Sequence, residues 1–108
     1  MVDKKESEEK IAQLQLLEQN MQNFTMQKQQ FQMQLNEIAS ALENLKDSEK
    51  SYKIVANIMI NAKKEDLESE LKQKKEMLEL RIKKLEKQEE EIREKSQKIQ
   101  KEVLGSME

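Results

Sequence analysis

The side chains best suited to metal or covalent chemistry are missing from this sequence. Its 108 residues include no Cys and no His, which removes the usual ligands of Zn, Cu, haem and Fe–S centres along with any Cys/His or Ser/His nucleophile pair. Disulfides are excluded as well. Three features could still carry polar chemistry. The run Glu89-Glu90-Glu91 has the donor type of a hard-cation site, but a charge run on a helix is expected to be solvated. Tyr52, the single tyrosine, lies among β-branched residues and reads as a strand-packing residue. The lysine pairs Lys63-Lys64, Lys74-Lys75 and Lys83-Lys84 are interleaved with Glu, and the net charge is -2. With Phe24, Phe31 and Tyr52 as the only aromatics, there is neither a basic stripe nor a stacking platform for nucleic acid. The expectation is a protein that is not an enzyme, holds no cofactor or metal and binds no nucleic acid.

The chemistry left is apolar association. Ile54, Val55, Ala56, Ile58, Met59 and Ile60 fill six of the seven positions from 54 to 60. Elsewhere apolar residues are sparse: 35% of the chain is hydrophobic and 39% charged, too little for a compact core of its own, so an elongated fold is expected. No apolar run is long enough for a membrane span, and the opening Met1-Val2-Asp3-Lys4-Lys5-Glu6 is charged, unlike a signal peptide. A soluble, cytoplasmic protein is expected.

The elements that position these residues follow from periodicity. Between about Glu6 and Glu49, Leu14, Leu17, Met21, Phe24, Phe31, Leu35, Ile38, Leu42 and Leu45 recur at spacings of three and four, with Lys28 the one polar substitution. That is a coiled-coil seam, and Lys28 reads as a polar layer that sets register. Between about Lys64 and Leu104, Leu71, Leu78, Leu85, Ile92 and Ile99 stand seven apart. The adjoining row, Glu68, Lys75, Ile82, Glu89, Ser96 and Val103, is half polar, and 25 of the 40 residues from Lys63 to Glu102 are charged. Glu65 and Asp66 suit the first turn of this helix, and Gly105 suits its C-terminal cap. From 51 to 62 the β-branched residues predict two strands, Tyr52 to Val55 and Ile58 to Ala62, around Ala56-Asn57. Asn accepts the left-handed conformation of a tight turn more readily than Ala does, so a wider loop stays open.

A register test joins the two helices. If the chain reverses on itself, facing residues share one index sum, and pairing Leu14 with Ile99, Met21 with Ile92, Lys28 with Leu85, Leu35 with Leu78 and Leu42 with Leu71 gives 113 each time. The midpoint falls between Ala56 and Asn57, where the turn is predicted independently. The fold class is therefore all-α dominated: a long antiparallel two-helix coiled-coil hairpin with one short β-hairpin between the helices, a single domain over 1–108. Arms of this length span about 60 Å at about 1.5 Å per residue. The ends away from the turn gather Val2, Ile11, Leu14, Leu16, Leu17 and Met21 with Val103, Leu104 and Met107, more apolar surface than a two-helix seam buries.

An isolated two-stranded hairpin is marginal in water, and this one has no polar face. The 54–60 segment is therefore expected to be covered by other subunits, through Tyr52, Ile54, Val55, Ile58, Met59 and Ile60. The plain alternative is a clasp folded back onto Leu45 and Leu67 of its own coiled coil.

In the order of its features the chain resembles the β-type subunit of prefoldin. The resemblance rests on Gln27-Lys28-Gln29, Gln34-Leu35-Asn36-Glu37 and Ala41-Leu42-Glu43 in the first helix and on Tyr52-Lys53 and Asn57-Ile58-Met59-Ile60 in the hairpin. In the second helix it rests on Lys64-Glu65-Asp66-Leu67, Leu78-Glu79-Leu80-Arg81 and Lys87-Gln88-Glu89. It covers nearly the whole chain, and departs from the family at Ala56, where Gly is common. The resemblance implies an ATP-independent chaperone subunit in a hexamer of two α-type and four β-type subunits joined through their β-hairpins. Unfolded clients would be held at the coiled-coil tips, here Val2, Ile11, Leu14, Leu16, Leu17, Met21, Val103, Leu104 and Met107, and passed to a group II chaperonin. The alternative function is a structural coiled-coil adaptor linking two specific folded partners.

Overall fold

The computed structural model describes residues 4–107. Helix α1 spans Lys4–Lys46, strand β1 Ser51–Val55, strand β2 Ile58–Ala62 and helix α2 Lys64–Met107. Both helices lack Pro and carry apolar residues at alternating three- and four-residue spacings, which is what lets each run for more than forty residues.

The helix ends differ from the sequence expectation. Helix α1 starts two residues earlier than Glu6 and stops at Lys46 rather than Glu49. Its last carbonyls are met there from outside the helix: Ser48 Oγ donates to the Asn44 carbonyl at 2.8 Å and Lys64 Nζ to the Lys46 carbonyl at 2.7 Å. Such partners satisfy acceptors that a helix end leaves open. Helix α2 continues through Gly105 to Met107, and no glycine has a positive φ. Gly105 is therefore an interior helical residue and not a cap. At the start of α2 the Leu67 N–H donates to the Lys63 carbonyl at 3.1 Å, with Glu65 and Asp66 in the first turn beside the positive end of the helix dipole.

The reversal lies where the register test places it. Strands β1 and β2 pair antiparallel from Ser51 with Ala62 to Val55 with Ile58, every pair having the index sum 113. Ala56 and Asn57 form the two-residue loop, with φ of 50° and 65°. Positive φ at both central residues is the type I′ turn, whose twist matches the strands it joins, so no wider loop is used. Ala56 holds a left-handed conformation that costs an L-residue roughly 1 kcal/mol.

The chain divides into two compact units. The hairpin unit is Gln30–Ile82. Within it Ile38, Leu45, Leu78 and Ile82 are buried, Leu35, Leu42, Leu67 and Leu71 are half-buried, and the Arg81 guanidinium sits 5.7 Å from the centre of the Phe31 ring. Ile38 is buried although Lys75, its expected opposite, is exposed. The terminal unit comprises residues up to Gln29 with those from Lys83 onward. Here, among the described residues, only Leu85 and Glu89 are buried, while Leu14, Leu17, Met21, Phe24, Ile92, Ile99 and Val103 are half-buried at heptad positions.

Candidate functional site

Alternation along the strands sorts the hairpin's apolar residues onto two faces. Directly paired residues share a face, so Ile54 and Met59 lie together with Tyr52, while Val55 and Ile58 lie with Ile60 on the other side. All six are exposed, Ile54 to 68% and Met59 to 66%. The clasp alternative, in which they fold down onto the chain's own coiled coil, is therefore not what this chain adopts. The base of the hairpin is polar: Ser51 Oγ donates to the Ala62 carbonyl at 2.6 Å, and Lys53 Nζ reaches Glu70 Oε2 at 3.1 Å.

The edges of the hairpin are as informative as its faces. In a two-residue hairpin the residues flanking the loop, Val55 and Ile58, exchange both backbone bonds, and alternation makes Lys53–Ile60 and Ser51–Ala62 bonded pairs too. The N–H and C=O groups of Tyr52 and Ile54 on β1, and of Met59 and Asn61 on β2, therefore point outward. Beside β1 runs an open groove lined by Ser51, Tyr52, Lys53 and Ile54 on one side and by Ala41, Leu45, Leu67 and Leu71 on the other. Four consecutive β1 residues and none from β2 line it, so it follows the free edge of β1 and not one face of the sheet.

In the terminal unit a second open groove is lined by Ile11, Leu14, Leu17, Met21 and Ile92, with Gln15, Glu18, Arg93, Ser96, Gln97 and Gln100 at its margins. Four of the tip residues expected from sequence meet there. Leu16 and Leu104 do not line it but are exposed, and Val103 is half-buried. Val2 and the Met107 side chain lie outside the described residues. Lys10 Nζ is 3.0 Å from Glu102 Oε2, an ion pair across the two helices.

One expectation needs correction. Of the acidic run, Glu90 and Glu91 are exposed, but Glu89 is only 8% exposed. Lys28 Nζ lies 2.9 Å from Glu89 Oε1, and Thr25 Oγ1 donates to Oε2 at 3.4 Å. The ion pair is close, though Oε1 has no aligned hydrogen bond. The polar substitutions expected in the two rows, Lys28 in α1 and Glu89 in α2, thus meet and neutralise each other one turn beyond the residue expected opposite Lys28, Leu85. The signal lay in the sequence, since both break an apolar row, but their reach toward each other depends on side-chain length.

Sequence reading also passed over Met26, Met33, Met77 and Leu80, which are exposed and off the heptad rows. Among the described residues the one carboxyl clearly moved from its ordinary pKa is Glu68, held low by a hydrogen bond and the nearby charge of Lys72 one turn on, a surface helical pair at 2.9 Å. Among the described residues there is no cluster able to hold a metal ion, and no helix is long and apolar enough to cross a membrane.

Comparison with known proteins agrees in extent and in fold. The family model described as "Prefoldin subunit" matches residues 8–106. "Prefoldin subunit beta" of Archaeoglobus fulgidus is 44% identical over 88 residues, covering 79% of this chain and 76% of that relative. The protein of the same description from Methanospirillum hungatei is 35% identical over 101 residues, covering 91% and 84%. The crystal structure of the prefoldin beta subunit from Thermococcus strain KS-1 superposes with a TM-score of 0.89 at 28% identity, covering 98% of this chain and 95% of that one.

Proposed function

The chain belongs to the prefoldin subunit family and resembles its β-type members, and on that premise we propose that it is one subunit of an ATP-independent holdase. The complex is a hetero-hexamer of two α-type and four β-type subunits in the cytoplasm. It captures unfolded or nascent proteins and transfers them to a group II chaperonin. The observation that carries this reading is the hairpin whose two faces are both apolar and both exposed in the single chain. An apolar two-stranded sheet with open edges is stable only when other strands cover it.

Client capture is assigned to the groove of Ile11, Leu14, Leu17 and Met21 with the exposed Leu16 and Leu104, and, from their place in the sequence, to Val2, Val103 and Met107. Binding there is burial of apolar surface, which needs no nucleotide. Unbranched Met adapts to many sequences, and several weak tips around one client gain by multivalency. The absence of Cys and His is in keeping with a role that involves no catalysis.

The test is to mix the chain with an α-type subunit, measure mass by light scattering and follow the aggregation of a diluted unfolded protein without ATP. A hexamer that suppresses aggregation is expected. A version lacking residues 1–10 and 103–108 should still assemble but capture clients weakly. A folded hexamer with no suppression across many clients would sink the chaperone reading. Defined binding to folded partners that survives the truncation would favour a structural adaptor instead.

A further inference from the structure

Within the terminal unit the two helices present opposite kinds of surface to water. On the side of α1 turned away from the seam stand residues 12, 15, 16, 19, 22, 23, 26 and 29, all exposed, and none is charged in a chain that is 39% charged. Gln15, Gln19, Gln22, Asn23 and Gln29 carry carboxamides there. Leu16 and Met26 stand among them, 58% and 60% exposed. The matching positions of α2 in the same unit, from 83 to 94, are Lys83, Lys84, Lys87, Glu90, Glu91 and Glu94, every one charged and exposed. Water solvates both kinds of face, so solvation alone gives no reason for the difference.

The uncharged face is continuous with the tip groove. An open groove on it is lined by Gln22, Thr25, Met26 and Gln29 together with Glu18 and Met21, and those last two also line the groove of Ile11, Leu14, Leu17 and Ile92. Among the described residues no hydrogen bond engages the side chain of any of the five carboxamide residues. A carboxamide offers N–H donors and an oxygen acceptor, the same groups as a peptide bond.

These groups point to one kind of occupant. Covering a charged face strips ions of water, whereas covering an uncharged one costs only amide desolvation, which new hydrogen bonds offset. A folded protein has its backbone N–H and C=O groups already paired. Only an unfolded segment brings peptide groups free to meet the carboxamides.

We propose that the client site at the tip continues around α1 between Gln15 and Gln29 as a face for peptide groups. Gln15, Gln19, Gln22, Asn23 and Gln29 pair with the backbone of an extended, uncharged client segment, and Leu16 and Met26 receive its apolar side chains. The proposal rests on the chaperone reading and names the class of segment that the site takes.

The test uses the full-length chain with a short end-capped peptide of Leu, Ser and Thr, and with the same peptide N-methylated at alternate residues. By NMR the unmethylated peptide should shift the side-chain N–H resonances of Gln22 and Gln29, with an affinity that salt leaves unchanged. N-methylation removes backbone donors and keeps every side chain, and should weaken binding about tenfold. The triple variant Gln15→Met/Gln22→Met/Gln29→Met separates amide pairing from apolar contact by sign. Binding through the carboxamides falls about tenfold, whereas binding through apolar burial alone rises. Gln15→Lys/Gln22→Lys/Gln29→Lys keeps the surface polar and the donors but removes the acceptors, and should weaken binding too; it decides the matter if light scattering shows the Met variant to self-associate. Met and Lys are strong helix formers, so both variants should keep the helical circular dichroism of the parent. Shifts confined to the methyl groups of Ile11, Leu14, Leu17 and Leu104, equal binding of the methylated peptide, or tighter binding by the Met variant would each overturn the proposal.

Aggregation assays on the hexamer formed with an α-type subunit keep this proposal apart from the chaperone reading. Suppression of aggregation alongside negative peptide results removes the carboxamide face and leaves the chaperone reading standing. No suppression alongside positive peptide results leaves a peptide-binding face on a chain that is not a holdase.

Discussion

Lys28 and Glu89, 61 positions apart in sequence, are joined by an ion pair of 2.9 Å in which the carboxylate is nearly closed off from water and the ammonium side chain keeps about a third of its exposure. The pair is asymmetric in its consequences. A lysine that loses its partner can swing its long side chain into water, but a buried carboxylate cannot.

Lys28→Met should therefore destabilise the chain by about 2 kcal/mol, below the 3–5 kcal/mol of a fully buried broken pair because the site is partly solvated. Glu89→Met should cost less, and the double variant should recover most of the loss. A double-mutant cycle by urea denaturation measures this. Equal losses for both single variants with simple additivity would show that the two side chains act independently.

The turn offers a stabilising change. Ala56 has φ of 50°, a region Gly enters without penalty, so Ala56→Gly should slow amide exchange at Lys53 and Val55 and stabilise the hairpin by about 0.5 kcal/mol after the extra chain entropy of Gly is counted. Ala56→Val should act in the opposite direction. Slower exchange with Val than with Ala would contradict the I′ assignment.

The faces can be tested separately. Ile54→Glu changes one face of the hairpin and Ile58→Glu the other. If both faces are covered in the assembly, each should abolish complex formation with an α-type subunit while leaving helical circular dichroism unchanged. Assembly surviving one of them would show that face to be solvated in the complex.

Glu68 provides a pH test with a defined sign. Its hydrogen bond and proximity to Lys72 hold the folded-state pKa below the ordinary carboxylate value. A depressed pKa contributes stability that is present above the unfolded-chain value and is lost as pH falls through the folded one. Because the pair is at the surface, the clearest readout is the side chain itself. Lys72→Gln should move the NMR titration of Glu68 up toward the ordinary range, with little change in thermal stability at neutral pH.

Much of this architecture is legible in the sequence, for reasons that particular residues make plain. The heptad rows of Leu14 to Leu45 and Leu71 to Ile99 are properties of single helices, and a single reversal forces one index sum on everything that pairs. Hence the turn at Ala56-Asn57, the strand register and the absence of a polar hairpin face could be read before any coordinates. Other features required the fold. Burial of Glu89 depends on Lys28 and Thr25 reaching it across the seam, and composition alone marks it as one of three solvated acids. Gly105 looked like a helix stop because glycine permits one, yet nothing in the fold demands a left-handed residue there. The groove beside β1 belongs wholly to tertiary structure: strand sequence assigns residues to faces, but Leu45, Leu67 and Leu71 come alongside β1 only because the flanking helices pack there.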